Sequence, residues 1–591
     1  MAYIKSRISR NRLTNLSIGV SLIVFIIFVL SSFKEDSDTE ELNIKLQNLY
    51  NPKNQAPPKS PIKEAIEDIR NSRSKAKNIV TSDTGKCINY VDYSQQIHGP
   101  LSEGELQLPY QRPPERCRTY KSNTVERVLS DLKQRVKNPD LFRLIENALP
   151  NTLDTAILWS QVKEEPYSAF ISTGDIHSEW LRDTARQLSI YQKLTPYEDS
   201  LKKLLKGAIH TQSSFVTIAP YCNAFHPPPG SGVKKGDGAI DKVNPRPPWK
   251  HVFECKYEID SLASFLTLSR EYYENTQDYE IFDIEWLNAL ANILTVIRRE
   301  SSPTFDENGN VLPFYYSFQR NTDIGTETLP LAGTGNPVNF GIGLVRSAFR
   351  PSDDACIFQF FIPGNAHLQV ELEKIYKIMK SVEHKIPTFD NQLPKMLDDV
   401  NNYAKLIKES IYKHAVIEHP EFGKVFAFEI DGYGGAVFMD DANIPSLLSL
   451  PDLGFLEKTD AIYQNTRKMI LSKRGNPYFL EGKYFKGIGG PHIGIHSAWP
   501  MSLLVQIRTS DNETEILESL DLVLKNTGDL GLIHESVNVA SPGGYDYTRP
   551  WFSWANSEFG KTILDLAKRK PHLIFKDEYK KIPYDIENLK F

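Results

Sequence analysis

Several classes of protein are excluded by what this 591-residue chain lacks. A basic excess is missing: 69 Lys and Arg stand against 74 Asp and Glu, for a net charge of -5. A nucleic-acid binder would carry a basic patch as its electrostatic footprint, so no nucleic-acid partner is expected. Cysteine is scarce, at five residues (Cys87, Cys117, Cys222, Cys255 and Cys356) with no C-x-x-C pair and no Cys/His cluster of zinc-site spacing. In an oxidising compartment these five allow one or two disulfides and leave at least one thiol over. Regular β-α-β alternation and close internal repeats are also absent. The Asp-x-Asp spacing, by which many lumenal glycosyltransferases hold a metal at a sugar nucleotide, occurs only at Asp36-Ser-Asp38, away from any dense functional loop.

What is present begins at the N-terminus. Lys5, Arg7, Arg10 and Arg12 precede an uncharged run from Leu13 to Phe33, which includes LIVFIIFVL at Leu22–Leu30. A run of roughly 18 or more such residues is long enough to span a bilayer. Acid follows at once in Glu35, Asp36, Asp38, Glu40 and Glu41. Positive charge before the span and acid after it predict a type II signal anchor: residues 1–12 cytoplasmic, 13–33 transmembrane, and the body lumenal in the Golgi or endoplasmic reticulum. A cleavable signal is the alternative, but no small-x-small site ends the run. Residues 34–84, polar and broken by Pro52, Pro57, Pro58 and Pro61, read as a stem. The body is then 85–591. Asn512-Glu513-Thr514 is a glycosylation sequon, which suits a lumenal body.

Within that body, helical periodicity dominates. Asn123-Thr-Val-Glu126 has the form of a capping box, with Val125, Val128, Leu129, Leu132 and Val136 on one face. Trp286, Leu287, Leu290, Ile293, Leu294 and Ile297 repeat the pattern, as do Ile516, Leu517, Leu520, Val523 and Leu524. Between the helices lie loops dense in Gly, Pro, Asp, Trp and His. The polar stretch Asn223–Pro248 cannot be a core helix and is expected at the surface near the rim of a site.

The loop chemistry is of one kind. In Ile171–Gln187, Trp180-Leu181-Arg182-Asp183 sets an aromatic face beside a guanidinium and a carboxylate, with Asp175 and Glu179 before it. An aromatic covers the apolar face of a sugar ring, and charged groups make bidentate bonds to its hydroxyls. A helix N-terminus with a buried Arg–Asp pair accounts for the same residues equally well. Glu254, Glu258 and Asp260 then lead into an apolar helix, and Asp353-Asp354 follow in FRPSDDA. Asp440, Asp441 and Asn443 come in MDDANIP, His492 in GIGGPH, and Glu535 in HES, ahead of Arg549, Trp551 and Trp554 in TRPWFSWAN. Any one acid is more often a helix cap or surface ion pair. Recurrence in six loops of one composition points to a shared pocket. Two acids across a bond are the usual machinery of glycoside hydrolysis, one protonated and one ionised. Adjacent like charges at Asp353 and Asp354 offer a way to raise one pKa, with Glu535 as the second group. Asp440-Asp441 with Asn443 could ligate calcium, although the spacing matches no recognised loop.

Together the stretches TGDIHSEWLRD, YEIDS, FRPSDDA, DGYG with MDDANIPSLL, GIGGPH, and HES with TRPWFSWANS resemble glycoside hydrolase family 125, the exo-acting α-1,6-mannosidases, in its fungal membrane-anchored branch. The resemblance covers about Lys121–Lys568. It implies a mainly α, (α/α)6 toroid of the six-hairpin glycosidase type, no cofactor and no metal. It also implies inversion, with Glu535 as general base and an aspartic acid in PSDDA as general acid, Asp353 preferred and Asp354 open. Substrate contacts would come from Asp175, Trp180, Arg182, Asp183, Asp260, Asp441, Asn443, His492, Arg549 and Trp551. The expected partner is a mannose-containing glycan. Rival readings are another α-glycosidase on the same fold, a lumenal glycosyltransferase, and a glycan-binding protein without turnover. Intact Asp353, Asp354 and Glu535 argue against the last.

Overall fold

The computed structural model describes residues 85–386 and 392–589. The anchor and stem expected at 13–84 lie outside the described residues. Among those described, no helix is long and apolar enough to cross a membrane.

The architecture is mainly helical. In chain order the principal helices are α1 (Asn123–Arg135), α2 (Pro139–Ala148), α3 (Leu181–Ser189), α4 (Asp199–Ile218), α5 (Ile259–Thr276), α6 (Ile284–Glu300) and α7 (Ile362–Val382). They continue with α8 (Gln392–Ser410), α9 (Leu450–Leu453), α10 (Ala461–Ile470), α11 (Pro500–Arg508), α12 (Glu513–Lys525) and α13 (Ser553–Arg569). Burial divides them into two layers. The odd-numbered helices from α3 to α13 form the inner one: α11 is buried at all nine positions, and α3 at all but Ser189. A helix enclosed on every side has no need of a polar face. Helices α1, α6 and α12 bury one stripe each, as their periodicity predicts.

Neighbour packing closes the inner layer. Helix α3 packs on α5, α5 on α7, α7 on α9, α11 on α13, and α13 back on α3. An ion pair, Arg508 Nε to Asp452 Oδ1 at 3.0 Å, joins α11 to α9. Each inner helix except α13 is followed by an outer one, and α13 packs on α2 from the start of the chain. The axis carries charge. Arg186 on α3 reaches Glu558 on α13 at 2.6 Å, and Arg508 reaches Glu558 at 2.8 Å.

Local details refine the sequence reading. The cap of α1 is Ser122, one residue before the expected Asn123; its Oγ accepts from Val125 N at 3.2 Å. Asn512 caps α12 through Oδ1 and is exposed. Disulfides join Cys87 to Cys117 and Cys222 to Cys255, leaving Cys356 as a buried thiol.

Candidate active site

Every inner helix begins at the same end of the molecule as the acid-rich loops, because each loop runs directly into an inner helix. Three small antiparallel sheets turn the loops toward one another. In the first, Glu179–Trp180 pairs with Ala224–Phe225, which pairs with Val252–Glu254. In the second, Ser497–Ala498 pairs with Ser536–Asn538, which pairs with Tyr547–Thr548. In the third, Glu429–Ile430 lies between Phe360–Phe361 and Ala436–Val437. There the Glu429 carboxylate accepts from Arg350 Nε at 2.6 Å and from the amides of Ile357 and Phe358, clamping the loop that carries Asp353.

The loops enclose a cavity of about 300 Å3. Of the residues singled out in the sequence, Trp180, Arg182, Asp183, Glu254, Asp353, Asn443, His492, Glu535, Arg549 and Trp554 line it. The others lie behind the wall. Asp175 accepts from Arg549 Nε at 2.9 Å. Asp260 is fully buried under Arg182, 3.5 Å from Nη1. Asp441 accepts from Ser352 Oγ at 2.6 Å and from Asn443 Nδ2 at 3.0 Å. Trp551 sits in the core and donates Nε1–H to Asn151. The oxygens of Asp440 are taken by the amides of Leu447 and Leu448, so this acid closes a turn.

The two adjacent aspartates part company. Asp353 is 24 % exposed and faces the cavity, while Asp354 is fully buried beneath it. Asp354 accepts from Ser352 Oγ at 3.3 Å and lies 3.8 Å from His492 Nδ1. The backbone explains the division. Asp353 has φ +67°, in the left-handed region that a non-glycine residue seldom adopts. Such strain persists only where the surroundings hold it, and it is common at functional sites. Arg549, also in the wall, has φ +55°. Close approach matters once more at Gly174: a Cβ there would stand 2.9 Å from the Trp551 carbonyl, and its absence lets the Asp175 loop meet the Arg549 loop.

Charge in the site is unevenly held. Arg182 lies 2.5 Å from Glu258, 3.3 Å from Asp183, 3.5 Å from Asp260 and 3.9 Å from Asp353. Burial pushes Asp183 and Asp260 up to about 6 against the pull of Arg182. Burial also raises Glu258 well above the carboxylate range. At Asp353 burial works in the same direction, but Lys256 and then Arg182 outweigh it and bring the group down to about 2. Burial disfavours the charged form of His492, yet Asp354 beside it pushes the imidazole up to about 9. Glu535 is buried, with Arg549 Nη1 at 3.5 Å.

Other wall residues were not singled out for the site: Thr173, Phe253, Lys256, Arg320, Glu327, Trp499 and Phe552. Lys256 sits inside FECKYEIDS, where its neighbours could have marked it. Arg320 and Glu327 belong to a long irregular segment without any sequence signal. The expectation for Asn223–Pro248 needs correcting at its start. Asn223, Ala224 and Phe225 are fully buried, held by the Cys222–Cys255 disulfide and the central strand of the first sheet. From Pro229 to Pro248 the stretch is mostly exposed, and Asp241 within it accepts from Arg320 Nε and Nη2 at 2.8 Å each.

Comparison with known proteins gives this arrangement a family. The profile of the metal-independent alpha-mannosidases (GH125) matches residues 138–564. The chain belongs to that family. A fission-yeast relative, the "Meiotically up-regulated gene 157 protein" of Schizosaccharomyces pombe, is 50% identical over 493 residues, covering 83% of this chain and 94% of the relative. Among solved structures, a Streptococcus pneumoniae member of the metal-independent alpha mannosidases matches with TM-score 0.67 and 32% identity, covering 76% of this chain and 99% of that one. That bacterial protein is described in a non-productive substrate complex with alpha-1,6-mannobiose. The GH125 assignment agrees with the mainly helical, six-hairpin glycosidase-like fold and with alpha-mannosidase activity at family level.

Proposed function

We propose that the protein is an exo-acting α-1,6-mannosidase that removes terminal mannose from glycans with inversion. The observation that carries the reading is the meeting of Asp353 and Glu535 on the wall of one cavity, with Trp180, Arg182, Asp183 and His492 around it. Trp180 offers an apolar face, and Arg182, Asp183, Asn443 and His492 offer hydroxyl partners.

In this mechanism Asp353 is the general acid, because it faces the cavity and Asp354 does not. Glu535, beside Arg549, is the general base that takes a proton from water as the oxygen attacks the anomeric carbon. Asp354 holds His492 in its charged form as a hydrogen-bond donor. The α-1,6 linkage is supported by the likeness to the bacterial protein named above. The anchor at 13–33 and a lumenal body remain part of the proposal, supported by the charge asymmetry around the apolar run and by the exposed Asn512 sequon.

The test is the full-length protein with α-1,6-mannobiose in the presence of chelator, following the released anomer by NMR. Release of β-mannose is the expected result. Release of α-mannose would turn one carboxylate into a nucleophile and overturn inversion. Turnover of a nucleotide sugar, with mannobiose left intact, would replace the hydrolase reading with a transferase.

A further inference from the structure

The crowding of acids around Arg182 goes beyond what hydroxyl binding requires. Four carboxylates, on Asp183, Glu258, Asp260 and Asp353, lie within 3.9 Å of this one guanidinium. The other cation facing the group is Lys256, whose Nζ donates to the Asp353 carbonyl at 2.8 Å and lies 3.6 Å from Glu254. His492 is engaged with Asp354, and Arg549 with Asp175 and Glu535. Two cations cannot neutralise this many buried acids, and an unpaired buried charge is expensive. Part of the cluster therefore keeps its protons.

Geometry brings two of these carboxyl groups together. Glu258 has no exposed side-chain surface and does not line the cavity, so it cannot touch a sugar. Its Oε2 takes Arg182 Nη1 at 2.5 Å and Ser261 Oγ at 2.9 Å. Its Oε1, the Oδ1 of Asp353 and the Oε2 of Glu254 converge on one nitrogen, Asn223 Nδ2, at 3.2, 3.3 and 3.3 Å, and of these partners Glu258 and Asp353 also share the Arg182 guanidinium. Two carboxyl groups gathered by the same amide and the same guanidinium are placed to hold a proton between them, since both cannot ionise freely at such proximity.

We propose that Glu258 is the proton store behind the general acid: a buried positioning residue that shares one proton with Asp353 and returns it as the leaving oxygen is protonated. The inference rests on Asp353 being the acid of the mannosidase reading above. Burial raises Glu258, while Lys256 and Arg182 keep Asp353 low against the effect of its own burial, so in the empty site the proton resides on Glu258. In turnover the proton passes from Glu258 to Asp353 and then to the glycosidic oxygen as the C1–O bond breaks. The water oxygen bonds to C1, and its proton goes to Glu535. The pair ends one proton short and Glu535 one proton over, and exchange with water restores both. Asn223, fastened by the neighbouring Cys222–Cys255 disulfide, keeps the two carboxyls in register.

The test compares full-length wild type, Glu258→Gln and Glu258→Asp on two substrates. Mannobiose has an alcohol leaving group that needs a proton, whereas 2,4-dinitrophenyl α-mannoside has one that does not. For Glu258→Gln, kcat/KM on mannobiose is expected to fall about 100-fold and that on the aryl mannoside less than about threefold, in line with the usual worth of general acid catalysis. The alkaline limb of the mannobiose pH profile should move about two units or more toward acid, because Asp353 then stands alone beside Lys256 and Arg182. Glu258→Asp, which keeps a titratable group, should regain at least about tenfold of the lost mannobiose activity. Equal losses on the two substrates, an unmoved alkaline limb, or no gain from Glu258→Asp would each reduce Glu258 to a structural residue and overturn the proposal. Wild type inactive on both substrates would instead overturn the mannosidase reading beneath it.

Discussion

Glu535 and Arg549 stand 3.5 Å apart, Oε1 to Nη1, facing each other at the same end of an antiparallel strand pair. The same guanidinium reaches Asp175 at 2.7 Å, so one side chain ties the last acid-rich loop to the first. This contact sets a positive charge beside the proposed base and fixes its direction. Glu535→Gln keeps the shape and the hydrogen bonding and removes only the base. Turnover of mannobiose should fall by about 1,000-fold or more, within the range of general-base contributions, with an unchanged thermal melt. Near-normal turnover would remove Glu535 from the mechanism.

His492 provides a pH-dependent test of stability. Its folded-state pKa is raised to about 9 by Asp354, against the opposing effect of burial, from an ordinary value near 6.5. A raised histidine stabilises the fold fully below the unfolded pKa and loses that contribution as pH climbs through the folded one. Urea unfolding of His492→Gln should therefore show a deficit of about 2 kcal/mol at pH 6 that closes by about pH 9.5. A deficit that is the same at both pH values would mean that His492 acts by packing alone.

On the barrel axis, Arg508 is buried between Asp452 at 3.0 Å and Glu558 at 2.8 Å. Arg508→Met leaves both carboxylates to Arg186 and the more distant Lys561. Breaking a buried pair from one side costs about 3–5 kcal/mol. Chemical denaturation should show a loss of that order. A change under about 1 kcal/mol would indicate that water already screens the axis.

The Cys222–Cys255 disulfide ties together two segments of the site, since Asn223, which holds Glu258 and Asp353, follows the first cysteine and the wall residue Lys256 the second. Replacing both cysteines by serine frees a 33-residue separation, and stability should fall by about 2–4 kcal/mol. Activity should fall further than stability explains, because Asn223 loses its register with Glu258 and Asp353. Full kcat/KM at a temperature where the variant remains folded would show that the first sheet alone holds Asn223.

Some of this was legible in the chain and some was not. The periodic helices were readable because burial of one face repeats locally: the residues of the apolar pattern from Trp286 to Ile297 and from Ile516 to Leu524 are buried, except Leu517, which the structure leaves exposed. The helix start at Trp180-Leu181 shows the buried Arg182–Asp183 pair that was one of its two readings, and the same residues line the cavity. The beginning of Asn223–Pro248 was misread as rim because its polar composition conceals a central strand and a disulfide. Arg320 and Glu327 carried no mark, since a long irregular segment has no period to read.

The sequence by itself determined the composition of the loops, the helical periods and the apolar run at 13–33, all properties of neighbouring residues. It also carried six motifs in one order, enough to name the family. Only the tertiary structure decided which acid faces the cavity. Asp353 and Asp354 are adjacent and chemically identical, and a single left-handed backbone angle, held by the Arg350–Glu429 clamp, turns one outward and buries the other. Only the closed ring of inner helices brings Asp175 to Arg549 across 374 residues, and Glu258 to Asp353 around one amide. Such pairings depend on distances in space, which spacing along a chain does not encode.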